Sequence, residues 1–477
     1  MPTHPDRPSS RRNVLLAGAF GAAATTLAAC TKEEAEGLGT PVDAKLATTP
    51  TTVPLSAAQS ELGAGTFSLF SQSDLNFQTL FGLGFAGQIA VAGEVAAVVA
   101  QANAEGASYQ TVYDGFIAMG NKLQADALAS AAAGHLVTAR SQYLRSARYF
   151  ASALYWVLGT STPGAEAEVY SVMDASFRQA MTLMDPVAEE IQIPYGDQPL
   201  PGWFLRPAGA SGKRPTIIIN NGSDGQLVDL LGEGGFAALE RGYNVFIFEG
   251  PGQGSQLFLH NIVFTHEWEK VISPIIDVLE RRDDVDASRI ALRGISFGGA
   301  LTPRAAAFED RIAALVADPG STGPWNDYPA FIRDNSHGSE AEVNSFWDDA
   351  IIPGSTPEQL FALKKTLEIF SPSMHDEVKA GKPPTGWYTV SKTIQEFDLD
   401  AEIVGKITCP TLVTWYEDDA AFGDEPMKLY DMLRTDTKDL VKFTSVDGAQ
   451  YHCGPMAPQI SNEACWDWVD DVFRSKR

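Results

Sequence analysis

Basic residues and cysteines are both scarce in this chain of 477 residues. Lys and Arg total 35 against 60 Asp and Glu, a formal net charge of −25. Phosphate contacts need clustered cations, so this deficit argues against a nucleic-acid binder. It argues equally against a body held on anionic lipid by basic patches. The 4 cysteines contain no C-x-x-C pair, which speaks against a structural zinc site. Nothing in the sequence calls for a metal or a cofactor. Long apolar runs are missing as well. The only one without charge is Asn13–Cys30, so the body is not expected to cross a membrane. Gly 42 and Pro 28 fall short of low complexity, and 44% hydrophobic with 20% charged residues is a globular composition.

What is there begins with an address. Ser10-Arg11-Arg12-Asn13-Val14-Leu15-Leu16 sets two arginines before an Ala- and Gly-rich stretch, the pattern of a twin-arginine export signal. Leu27-Ala28-Ala29-Cys30 closes the stretch like a lipobox, where the Cys30 thiol is acylated. The expectation is a signal over 1–30 and an exported surface or periplasmic lipoprotein. Its membrane contact would run only through the lipid on Cys30. Residues 31–60, polar and rich in Thr and Pro, are expected to be a tether. Cys409, Cys453 and Cys465 remain, and two readings stay open: a Cys453–Cys465 disulfide, or three thiols.

The texture of the body changes once. Over 61–188 apolar residues recur at three- and four-residue spacing, as in Tyr109–Ala133 and Leu136–Leu158, which predicts a helical unit of four or more helices. From 189 onward come short apolar runs. They are Glu190–Ile193, Trp203–Arg206, Thr216–Ile219, Val245–Phe248, Arg289–Leu292, Ile312–Ala317, Thr411–Trp415 and Val441–Thr444. Several are continuous enough for strands buried on both faces. Helical stretches lie between them, at Asp229–Arg241, Glu267–Arg282, Phe297–Phe308 and Glu425–Arg434. Such alternation predicts an α/β protein, a mostly parallel sheet wrapped by helices, over 189–322 and 401–477. Residues 323–400 interrupt it after the sixth strand, as a helical insertion over the sheet's C-terminal edge.

The chemistry is concentrated in a few places. Gly294-Ile295-Ser296-Phe297-Gly298 follows a strand and opens a helix, the context in which G-x-S-x-G exposes a nucleophilic serine. Serine needs a base, and the base needs an orienting carboxylate. Of the histidines after Ser296, His337 and His375 fall in the insertion, before the strand Thr411–Trp415. His452 lies in a Gly-containing loop beyond the last strand, where the base belongs. The acid should follow Thr411–Trp415. Asp419 is the first choice there, Asp418 the second, and Asp318 after the sixth strand the fallback. An oxyanion hole needs two N–H donors. Phe297 supplies one, and Ser223 or Asp224 in Asn220–Gly225 the other. Gly250-Pro251-Gly252-Gln253-Gly254 lacks the Lys-Ser/Thr of a phosphate loop.

Together Asn221–Gly225, Phe248–Gly254, Gly294–Gly299, Glu417–Asp419 and Gly448–Cys453 resemble the α/β-hydrolase family of dihydroxypseudooxynicotine hydrolase and fermentation-respiration-switch-like esterases. The resemblance covers roughly 190–475 and, more loosely, the helical part. It implies the α/β-hydrolase fold, Ser296, Asp419 and His452 as a triad, a helical lid domain and, in some relatives, a homodimer. Glu249 departs from the usual Asp, and the export signal removes any intracellular role by analogy. The expected function is a serine hydrolase acting on an ester or related acyl bond of a small to medium apolar or aromatic substrate. Trp325, Tyr328, Phe331, Phe346, Trp347, Trp387 and Tyr388 would line its pocket, or pack the core of the insertion. Cleavage of a carbon–carbon bond beside a ketone, exopeptidase activity and a non-catalytic surface lipoprotein are the alternatives.

Overall fold

The computed structural model describes residues 67–475. The signal, the tether and Cys30 lie outside them. The described residues open with five α-helices: α1 (Ser73–Gly84), α2 (Ala92–Glu105), α3 (Tyr109–Ala132), α4 (Leu136–Trp156) and α5 (Glu166–Thr182). Ser108 starts α3 as its N-cap, with Oγ accepting the Thr111 N–H at 3.2 Å. Val112, Phe116, Leu123 and Ala127 then fall on one buried stripe, as helical spacing requires. α4 carries more of the load and buries Tyr143, Leu144, Phe150, Leu154 and Trp156 between its neighbours.

An eight-stranded sheet follows, in the order β1-β2-β4-β3-β5-β6-β7-β8. Its strands are β1 (Glu189–Ile193), β2 (Leu200–Leu205), β3 (Arg214–Asn220), β4 (Asn244–Phe248), β5 (Val285–Ile295), β6 (Ala314–Asp318), β7 (Thr411–Tyr416) and β8 (Lys438–Phe443). β2 runs antiparallel to β1 and β4, and the other pairs are parallel. β4 and β6 are buried throughout and read as continuous apolar runs, while the edge strand β8 is only partly covered. The register sets Asn220 of β3 beside Gly294 of β5, and Ile295 beside Asp318 of β6. Three central strands therefore end at one level, and the loops leaving them meet above it. This arrangement is the α/β-hydrolase fold.

Between β6 and β7 the chain forms five further α-helices of five or more residues, from Ala330–Asp334 to Trp387–Gln395. Tyr109 and Trp156 of the helical part stack on Phe361 of the helix Pro357–Phe370, with ring centroids 4.5 and 5.5 Å away. The two helical regions thus close over the sheet together. Asp229–Arg241, expected as one helix, is broken. Leu227–Leu230 and Phe236–Glu240 are helical, and Leu231–Gly235 between them is a wide turn with Gly234 out of helical geometry. Glycines at 232, 234 and 235 supply little helix propensity, and packing decides their shape. No disulfide joins Cys453 to Cys465, and both are thiols. Among the described residues no helix is long and apolar enough to cross a membrane.

Candidate active site

β5 ends at Ile295 and passes the chain to Ser296, whose φ is +57°. A residue with a Cβ adopts that conformation only when its surroundings hold it there. Here the Ser296 N–H donates to the Asp318 carbonyl at 2.8 Å, and the Gly299 N–H donates to the Ser296 carbonyl at 2.7 Å. Glycine at 298 is a matter of space, since a Cβ there would lie 2.9 Å from the carbonyl oxygens of Asn220 and Asn221. The turn projects the Ser296 hydroxyl upward. Its Oγ lies 2.8 Å from His452 Nε2, and His452 Nδ1 lies 2.8 Å from Asp419 Oδ2.

Asp419 is buried, and its other oxygen accepts the N–H groups of Ala421 and Phe422 at 2.8 and 2.9 Å. With its carboxylate fixed, it turns the imidazole toward Ser296. Burial disfavours the charged form of His452, but Asp419 more than compensates, and the His452 pKa is raised above 6.5. The structure separates the three candidate acids. Asp418 is exposed, and its raised pKa follows from partial burial and the neighbouring Glu417. Asp318 is buried but engaged elsewhere. Its oxygens take Arg293 Nε at 3.0 Å, Thr414 Oγ1 at 2.5 Å and Tyr416 OH at 2.6 Å. Burial opposes its ionisation, yet Arg293 and the two hydroxyls hold its pKa below the usual range. Its part at the turn is played by its backbone carbonyl.

The loop after β3 comes against the same turn. A Cβ on Gly222 would sit 2.7 Å from Ser296 Cβ and 3.0 Å from the Phe297 nitrogen. Ser223 and Asp224, next along, line one cavity with Ser296, Phe297 and His452. The glycine-rich loop after β4 braces this arrangement, a role not read from the sequence. Gln253 Nε2 donates to the carbonyls of Asn221 and Gly222 at 2.8 and 3.1 Å, and its Oε1 accepts the Gly250 N–H at 2.9 Å. Glu249 accepts hydrogen bonds from Tyr170 OH at 2.9 Å and Ser255 Oγ at 2.6 Å, tying α5 to the core. Burial raises its pKa to about 7.

The cavity over Ser296 has a volume of about 110 Å³. Tyr328, Phe361 and Phe370 from the insertion line it, with Phe77 and Tyr155 from α1 and α4. Of the seven insertion aromatics singled out in the sequence, only Tyr328 is among its walls. Trp347 and Trp387 are buried and stack on each other with centroids 4.2 Å apart, packing the insertion itself. Phe77 and Tyr155 carry no sequence signal of their own, because a helix face toward a cavity is as apolar as one toward a core.

No family model matches the chain. Curated relatives do. A 20-hydroxy-prefusarin hydrolase of Gibberella moniliformis is 27% identical over 373 residues, 75% of this chain and 86% of that protein. An α/β hydrolase of Aspergillus fumigatus is 27% identical over 396 residues, 76% of this chain and 85% of its own. Among solved structures, 2,6-dihydroxy-pseudo-oxynicotine hydrolase superposes with a TM-score of 0.60 at 17% identity, covering 84% of this chain and 97% of that one. Wild-type AbyA5 gives 0.54 at 15% identity, covering 85% and 100%. At those identities the structural matches speak for the fold, and the hydrolase character rests on the curated relatives. The strand order and the structural matches show the α/β-hydrolase fold, and the chain is similar to proteins named as hydrolases.

Proposed function

We propose that the protein is a serine hydrolase that cleaves an ester or related acyl bond of an apolar or aromatic substrate. The observation that carries this reading is the continuous hydrogen-bonded line from Ser296 Oγ through His452 to Asp419, opening into an enclosed aromatic-walled cavity. Ser296 Oγ attacks the acyl carbon while His452 Nε2 takes the hydroxyl proton. The carbonyl oxygen becomes an oxyanion held by the Phe297 N–H and an amide of Ser223 or Asp224. The intermediate collapses, the carbon–oxygen bond to the leaving group breaks, and His452 returns the proton to the departing alcohol. Water, deprotonated by His452, then attacks the acyl-serine ester and releases the acid and the free serine. Asp419 keeps the imidazole oriented and stabilises its charged form throughout.

An alkyl fluorophosphonate should label the native protein once, at Ser296. Ser296→Ala should abolish labelling and lower the turnover of p-nitrophenyl esters by on the order of 10³-fold or more. Equal turnover by the alanine variant would sink this reading.

A further inference from the structure

A second chamber of about 90 Å³ adjoins the first, between the helical part and the sheet. Ser296, His452 and Cys453 are among its lining residues, with Phe77, Phe85 and Phe116. In its wall Arg148 Nε lies 3.2 Å from Asp229 Oδ1, an ion pair whose two facing atoms make no hydrogen bond, and Arg148 Nη1 donates to Ser152 Oγ at 3.0 Å. Glu233 lines the chamber, its Oε2 is buried, and that atom has no hydrogen-bond partner among the described residues. An orphaned buried carboxyl oxygen is costly and uncommon, so its retention asks for a reason.

The backbone around Glu233 is held from three directions. It sits in the wide turn Leu231–Gly235, and insertions of this kind in helices often accompany functional sites. A Cβ on Gly232 would lie 2.7 Å from the Phe85 ring, and one on Gly234 would lie 2.7 Å from Arg293 Nη1 and 2.8 Å from Trp466. The Glu233 carbonyl accepts from Arg293 Nη1 at 2.7 Å. The carboxyl is therefore presented by a fixed frame.

We propose that this chamber receives an uncharged, oxygen-bearing portion of the substrate, a ketone, enol or hydroxyl on an apolar or aryl frame, with Glu233 as its hydrogen-bond donor. The chemistry of the walls selects that class. The Arg148 guanidinium lies 5.3 Å from the Phe85 ring centre, which sets a cation against any ammonium group there. An anion would face Asp229, with Arg148 already paired. A neutral acceptor meets neither objection. The charged or titratable groups around Glu233 are Asp229, Arg293, Asp318 and Arg148, with Cys453 and His452 in the same wall. Burial first, and then Asp229, push the Glu233 pKa up to about 8, against the pull of the two arginines. At neutral pH the carboxyl carries its proton and donates. Calling the ligand a substrate rests on the reading of Ser296 as the nucleophile, while occupancy of the chamber does not.

Binding to the full-length Ser296→Ala protein separates the two. The probes are 4-phenylbutan-2-one, its hydrocarbon frame butylbenzene and 4-phenylbutan-2-amine, measured by isothermal titration. Glu233→Leu should weaken the ketone about five- to tenfold relative to the hydrocarbon, the value of one hydrogen bond, whereas Glu233→Gln should keep it. Ketone affinity should also fall above about pH 8 in the parent and stay level in Glu233→Gln. The pH series uses only the parent and Glu233→Gln, so it decides the matter even where the leucine variant fails to fold. Three results would overturn the proposal: a ketone-to-hydrocarbon ratio unchanged by Glu233→Leu, tighter binding of the amine that Glu233→Gln removes, or ketone affinity insensitive to pH in the parent. Absence of fluorophosphonate labelling at Ser296 in the wild type would count against the hydrolase reading alone.

Discussion

Asp418 and Asp419 are neighbours in sequence with opposite surroundings. The strand β7 ends at Tyr416, and the turn after it leaves Asp418 in solvent and Asp419 buried against His452. Their substitution should therefore differ sharply. Asp419→Asn should cut kcat/KM for p-nitrophenyl esters by on the order of 10³- to 10⁴-fold, because the imidazole loses its orienting carboxylate. Asp418→Asn should leave it within about twofold, as for an ordinary surface change. Since His452 must be neutral to act as base and its pKa is raised, kcat/KM in the wild type should rise with pH through a midpoint above 6.5. A midpoint below that value would contradict the His452–Asp419 pairing as the source of the shift. The serine and the histidine were legible because a motif and a chain order point to them. The acid was narrowed only to a cluster, because burial of one carboxylate among four is not written in local sequence.

At the scale of elements, the helical part and the insertion meet in a buried polar knot. His375 Nε2 lies 2.8 Å from Glu166 Oε2 at the start of α5, and His375 Nδ1 lies 2.8 Å from Asn261 Oδ1. Lys365 pairs with Glu368 at 2.7 Å and reaches Asp224, beside Ser296, at 3.7 Å. Burial lowers the His375 pKa to about 4, although Glu368 opposes it. A neutral imidazole has one N–H, so one of its two oxygen neighbours must bring a proton. Glu166 is suited to do so, since burial raises its pKa to about 7 despite Lys365. A carboxyl whose folded pKa is raised gives its full stability below the unfolded value, here 4.5, and loses it as pH rises through about 7. Glu166→Gln cannot ionise. Its melting temperature relative to wild type should climb by a few degrees between about pH 4.5 and pH 7 and level off above. A difference constant over that range would show that Glu166 does not titrate in this window.

For the whole molecule the relevant quantity is the charge of −25. Such a surplus keeps copies apart but also strains the compact state by self-repulsion. Raising salt from about 10 mM to about 300 mM shortens the screening length from roughly 30 Å to under 10 Å. The melting temperature should rise over that range, and a fall would mean that paired charges outweigh the surplus. The architecture itself was legible in the body of the chain, in the switch from helical spacing to apolar runs near 189. The wide turn at Leu231–Gly235 was not, because periodicity carries on through the glycines that break it.

The sequence by itself determined the class of the sheet, the turn that carries Ser296 and the position of His452 after the last strand. These follow from short-range signals: apolar runs, glycines at fixed offsets and chain order. Tertiary structure decided what depends on residues far apart in the chain. It turned Asp419 rather than Asp318 toward His452, because Arg293, Thr414 and Tyr416 occupy Asp318. It made Gln253 a brace for the loop beside Ser296, and it gave the cavity walls to Phe77 and Tyr155 rather than to most of the insertion's aromatics. It also left one carboxyl oxygen of the half-buried Glu233 without a hydrogen-bond partner, in a wall shared with Ser296 and His452. Burial and partnership are properties of packing, and a residue's own neighbours in sequence do not set them.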